Sequence, residues 1–200
     1  DGTVIDIEDT GGILTEIHPV EFLDGIIIPG FVNCHCHLEL SHMKGSIPAG
    51  GGLGTFLTAI QEKRENDPEK IISSALSADM EMYEEGVVLC ADISNNPLTF
   101  DVKKKSRISW FNFLEVFAMD PSLAESKMKE IESLAVECER SGLPYSIVPH
   151  TVNTVSLPLF CLLKERTAAN SITSVHFMES EGIDSFLSDH SGHLFAELSM

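Results

Sequence analysis

Short apolar runs alternate with longer amphipathic ones along most of this 200-residue chain. The apolar runs fall at residues 25–32, 86–93, 108–117, 145–148 and 172–177, and several are rich in Val, Ile and Phe. Runs of that length and composition suit strands buried on both faces. Between them lie helical patterns. One at 53–65 follows a glycine cluster. Asp67-Pro68 reads as an N-cap and first helical position, opening a helix to about residue 85 with Gly86 as its stop. Asp120-Pro121 repeats the start signal and Ser141-Gly142 ends that helix; 156–164 and 182–188 are the last two. Five strand–helix alternations predict an α/β fold, a parallel sheet with helices packed outside it. The alternation alone leaves a doubly wound sheet and a barrel open. Residues 1–24 differ: 3–7 and 12–17 read as short strands with turns. The expected organisation is therefore a small β module, or part of one, over 1–24, followed by an α/β unit over 25–200.

Composition narrows the functions. Apolar residues make up 43% and charged residues 22%, enough to build a core. Acidic residues outnumber basic ones 31 to 13, for a net charge of -18, which argues against nucleic acid or an anionic membrane as partner. The basic run Lys103-Lys104-Lys105 reads as a solvated loop. Five cysteines, an odd number, outline no disulfide framework and favour a reducing cytoplasm. No signal peptide and no bilayer-length apolar run is evident. The chain opens at Asp1 without an initiator methionine, which predicts further sequence upstream.

The strongest chemical signal is Pro29-Gly30-Phe31-Val32-Asn33-Cys34-His35-Cys36-His37. Histidines at i and i+2 on a strand project to one face. At the C-terminal end of a parallel strand, both imidazoles can reach one cation, with zinc–nitrogen distances of about 2.0–2.1 Å. Cys36 points the other way. A structural zinc module built from Cys34 to His37 is excluded, because four alternating residues cannot close one tetrahedron. The cysteines read as packing residues. The second signal is Val175-His176-Phe177-Met178-Glu179, where the fifth apolar run meets its loop. A histidine ligand with a carboxylate three residues on suits metal-assisted hydrolysis: the cation activates water and the carboxylate moves protons. Glu115, alone in an apolar run, is a buried carboxylate in need of a partner. The bland readings are core histidines for His35 and His37, and a solvated helix-start residue for Glu179.

Residues 26–40 closely resemble the opening strand of the amidohydrolase superfamily, with its Pro-Gly-hydrophobic-hydrophobic-Asn/Asp-x-His-x-His pattern. Residues 86–95 resemble its second strand. Pro149-His150, with Val155-Ser156 after it, resembles the fourth strand of the deaminase and chlorohydrolase branch, and His176 with Glu179 matches that branch's His-x-x-Glu. Thr151-Val152-Asn153-Thr154 departs from the branch, which often has Ala-Pro-Tyr-Ser there. His37-Leu38-Glu39-Leu40-Ser41-His42 looks most like aminodeoxyfutalosine-deaminase-type members.

The resemblance implies a (β/α)8 barrel of which about five strand–helix units lie on this chain. It implies His35, His37 and His176 as ligands of one divalent transition metal, zinc first and iron second. Glu179 is then the catalytic acid, His150 a substrate contact near the metal, and His42 and Glu39 further pocket residues. The glycine cluster at 50–54 has no Lys-Ser/Thr after it and so is no phosphate loop; it reads as a flexible loop over the barrel mouth. A sixth-strand histidine and an eighth-strand aspartate are expected beyond Met200. The expected activity is hydrolytic deamination of an amino-substituted heterocycle or nucleoside derivative. The alternatives are dechlorination on the same site and a non-catalytic barrel fragment acting as a binding protein. The partner is a small molecule, and a homodimer is expected from the family.

Overall fold

The computed structural model describes residues 24–63, 67–180, 183, 187 and 188. Four strands, β1 (Phe31–Cys36), β2 (Val87–Ser94), β3 (Ser109–Val116) and β4 (Tyr145–Pro149), form one sheet in the order β1-β2-β3-β4. Each neighbouring pair is parallel. Strand order that equals chain order means that every crossover steps toward the same edge. A doubly wound sheet reverses at a switch point, and this one does not, so the winding is of the barrel kind.

The helices are α1 (Gly52–Lys63), α2 (Pro68–Glu84), α3 (Phe100–Lys105), α4 (Ala124–Arg140) and α5 (Leu157–Arg166). The expected start signals act as caps. Asp67 accepts from the Glu69 N–H at 3.0 Å, and Gly86 leaves α2 with a φ of +90°, a conformation that disfavours any side chain. Asp120 accepts from the Ser122 N–H at 2.8 Å, but opens a short 3-10 turn (Pro121–Leu123) ahead of α4.

Alternation along the strands divides two apolar layers. Leu114 and Val116 of β3 bury against α4 and α5 through Met128, Ile131, Leu134, Leu159 and Leu163. Cys90 of β2 and Trp110 of β3 bury against Ala75 of α2 and Val102 of α3. On the other face Ala91, Ile93, Phe113 and Val148 meet one another inside the curve of the sheet. That inner face also carries the functional groups.

Three expectations are corrected. β1 begins at Phe31 rather than residue 25. Ile26 and Ile27 are 90% and 87% exposed, Pro29 has no N–H to offer a ladder, and pairing starts with the Phe31 N–H on the Gly86 carbonyl at 2.8 Å. Gly30 is required at the junction, since a Cβ there would fall 2.3 Å from Val88 Cγ1. The run at 172–177 is held by a single parallel bridge, Thr151 to His176, instead of a ladder. The Lys103-Lys104-Lys105 run is no solvated loop: it is the last half of α3, and Lys103 is 3% exposed. The sequence pattern hides this helix because it is only six residues long. The expected β module over 1–24, apart from Asp24, and most of the helix at 182–188 lie outside the described residues. All five cysteines are free thiols. Among the described residues no helix is long and apolar enough to cross a membrane.

Candidate metal centre

His35 lies on β1 and faces inward; His37 stands just past the strand's last residue and opens the 3-10 turn Leu38–Met43. Their Nε2 atoms are 3.1 Å apart. The His176 ring lies 4.7 Å from that of His35 and 5.7 Å from that of His37, centroid to centroid. One ligand atom from each of the three lies within 4.8 Å of the others. His176 reaches them because its N–H donates to the His150 carbonyl at 2.8 Å, which sets the 172–177 segment beside the end of β4.

The charges favour a cation. Burial lowers the pKa of His35, and the neighbouring His176 lowers it further. Burial lowers that of His37, with His35 adding to the effect. Both rings are therefore neutral at neutral pH, with lone pairs to offer. His176 is raised instead, chiefly by Glu115. Burial alone would raise Glu115, but His176 and the histidines around it hold its carboxyl below its ordinary value.

His176 is flanked by two carboxylates. Glu115 Oε1 lies 3.3 Å from Nε2, and Glu179 Oε1 lies 3.3 Å from Nδ1. The first contact is close but poorly aligned, so Glu115 Oε1, 6% exposed as a residue, has no directed donor. Glu115, His150 and His176 form a second set with converging ligand atoms, sharing His176 with the first. A ligating histidine whose other nitrogen meets a carboxylate is held in one orientation and made more basic. Glu179 folds back through Met178, whose φ of 52° is left-handed. That conformation costs a non-glycine residue about 1–2 kcal/mol, and strain of this kind gathers at functional sites.

His150 follows β4 and its ring lies 5.1 Å from that of His176. Its Nδ1 is 2.8 Å from Thr154 Oγ1, so the Thr151–Thr154 loop, which departs from the family pattern, fixes this ring. Burial lowers its pKa. A cavity of about 150 Å³ opens beside these groups, lined by His37, His150, His176 and Glu179 and walled by Leu53, Phe56, Leu57 and Ile60 of α1. The glycine cluster thus runs into the first turn of α1, and the helix, not a flexible loop, covers this side.

The two further expected pocket residues, Glu39 and His42, are engaged by neighbouring groups. Glu39 is 4% exposed, and its Oε2 accepts from the Asn95 N–H at 3.2 Å and from Asn96 Nδ2 at 2.5 Å, fastening the turn after β1 to the loop after β2. His42 Nδ1 lies 2.9 Å from the Glu39 carbonyl. Neither side chain is directed at the imidazoles through these bonds. Sequence reasoning had given Glu115 no firm role. Its signal was a lone carboxylate in an apolar strand, with nothing to say what it would meet. Cys36 turns to the outer face as expected, where a hydrogen bond with Cys90 and burial push its thiol far above its ordinary pKa.

No protein-family model matches the chain. It is 29% identical over 174 residues to the adenosine deaminase of Helicobacter pylori (strain ATCC 700392 / 26695), covering 80% of this chain and 39% of that one. The crystal structure of Helicobacter pylori aminofutalosine deaminase in complex with methylthio-coformycin superposes with a TM-score of 0.73 at 24% identity, covering 82% of this chain and 40% of that one. The chain shares the parallel α/β fold of the part of that structure it covers. Zinc-complexed atrazine chlorohydrolase from Arthrobacter aurescens TC1 shares it, with a TM-score of 0.62 at 15% identity over 81% of this chain and 43% of that one. The likeness to deaminases and chlorohydrolases read from the motifs is matched by the relatives found: an adenosine deaminase in sequence, and an aminofutalosine deaminase and an atrazine chlorohydrolase in fold. The chain spans less than half the length of each of these relatives.

Proposed function

We propose that this chain carries part of the active site of a metal-dependent amidohydrolase that deaminates an amino-substituted heterocycle or nucleoside derivative. The observation that carries the reading is the convergence of His35, His37 and His176 beside Glu179. Three imidazoles, two held neutral by burial, are a donor set that fits zinc, and iron as the second choice. His35, His37 and His176 would hold the ion, with the Glu115 carboxylate 3.3 Å from His176 Nε2. When bound, such a cation polarises its ligands and lowers the pKa of water at the site toward ~7.

The chain's own residues then have distinct tasks. His150, fixed by Thr154, contacts the heterocycle beside the histidines. The apolar wall of α1 excludes bulk water from that side. Glu179 delivers a proton to the ring nitrogen next to the amidine-like carbon as water adds there. The C–N bond to the amino group breaks as ammonia leaves, and a carbonyl replaces it. The adenosine deaminase and aminofutalosine deaminase relatives support ammonia as the leaving group.

The test is ammonia release by the complete natural chain, zinc-loaded, across a panel of aminated purines, pyrimidines and their nucleosides. Release from a subset of the panel is expected. Chloride release from chlorotriazines without any deamination would replace the leaving group in this reading, and no hydrolysis of either kind would overturn it.

A further inference from the structure

On the outer face of the sheet, directly behind the histidine pair, lies a buried charged cluster that the chemistry above does not use. Asp92 of β2 and Lys103 of α3 form an ion pair at 2.6 Å with both side chains fully buried. Ser94 Oγ donates to Asp92 Oδ2 at 2.8 Å, and Lys103 Nζ also reaches Ser94 Oγ at 2.8 Å and Asn112 Oδ1 at 2.6 Å. Asp92 Oδ2 is thus held by two donors. Its other oxygen, Oδ1, accepts the backbone N–H of Leu38 at 2.6 Å.

That amide belongs to the residue after His37. In the ladder Asp92 is the partner of Cys36, the residue between the two histidines. The turn that follows opens at His37, whose side chain makes no capping hydrogen bond. The first N–H of such a turn lacks an intrahelical acceptor. Asp92 supplies one from the neighbouring strand, and it is a charged acceptor, so the bond is stronger than a neutral one. Leu38 itself is 0% exposed, so water cannot substitute. The result is that β1 is cut off between His35 and the turn, and the backbone that aims the His37 ring is pinned to a carboxylate which cannot itself move.

We propose that Asp92, locked by Lys103 and Ser94, is the positioning residue for the His35–His37 pair, setting its geometry for a metal ion. The proposal rests on the reading of those histidines as ligands. The Asp92 carboxylate is also near enough to act electrostatically on both imidazoles, with a smaller effect that opposes burial. Asp92 touches neither the ion nor the substrate; it acts through the Leu38 amide.

The test uses two double variants of the complete natural chain. Asp92→Asn with Lys103→Met removes both buried charges and keeps an oxygen for the Leu38 N–H. Asp92→Leu with Lys103→Met removes the acceptor as well. Zinc affinity is measured by chelator competition, and the visible d–d absorption of the cobalt(II)-loaded protein reports ligand geometry. The Asn variant is expected to bind near wild type. The Leu variant is expected to bind zinc about 10–100-fold more weakly, the range for groups that orient ligands, with an altered cobalt spectrum. A folded Leu variant with wild-type affinity and spectrum overturns the proposal. Should the Leu variant not fold, Ser94→Ala serves instead, since it frees Oδ2 from one donor and leaves the ion pair: weaker zinc binding and a shifted spectrum support the proposal, and no change in either overturns it. A wild-type chain that binds no zinc overturns the ligand assignment itself, a failure distinct from these.

Discussion

Replacing Glu179 with glutamine is expected to slow ammonia release by about 10²–10⁴-fold, the usual contribution of a positioned acid or base, and to leave the metal content unchanged. Glutamine keeps the size and the hydrogen-bonding reach of the side chain but can neither give nor take a proton. The left-handed turn at Met178 brings the carboxylate to 3.3 Å from His176 Nδ1. It is only partly buried, so it can exchange its proton with solvent between turnovers. Steady-state rates and metal analysis on the same preparations check this. An unchanged rate would remove Glu179 from the chemistry, and a lost metal would make it a ligand.

Two neighbouring lysines are expected to differ sharply in stability. Lys103→Met leaves the Asp92 carboxylate buried without its partner and is expected to cost about 3–5 kcal/mol, the range for breaking one side of a buried pair. Lys104 is exposed on the same helix, and Lys104→Met is expected to change stability by no more than about 0.5 kcal/mol. Denaturant unfolding of the two variants beside wild type measures the difference. Removing both charges, as in Asp92→Asn with Lys103→Met, is expected to recover much of the loss, because a buried pair can be replaced by neutral groups of similar shape at little cost. Equal stabilities for the two single variants would mean that the Lys103 ammonium is not held by Asp92.

These two positions also show what a sequence can and cannot display. The His-x-His pair was legible because strand alternation alone puts i and i+2 on one face, whatever the partners are. His176 and Glu179 were legible for the same local reason, a histidine at the end of an apolar run with a carboxylate one turn on. The Asp67 and Asp120 caps were legible because the acceptor and its amide are two residues apart. Lys103 was not. Its meaning lies in Asp92, Ser94 and Asn112, which arrive from β2 and β3, and a lysine triplet on its own reads as solvent-facing. The partners of Glu39 were hidden for the same reason: Asn95 and Asn96 come from the loop after the neighbouring strand β2. Glu115 gave a signal of burial without a signal of partner. The strand at 172–177 was overestimated because apolar content predicts a strand, whereas the number of bridges depends on neighbours that content does not specify.

Elemental analysis of purified wild-type protein beside His35→Ala and His176→Ala tests whether His35, His37 and His176 hold one metal ion together. About one zinc or iron per wild-type chain is expected, as for a site built from three imidazoles, and its loss in both variants although one residue is on β1 and the other lies beyond β4. A wild type that takes up neither zinc nor iron when offered them, or variants that keep the full complement, would contradict it.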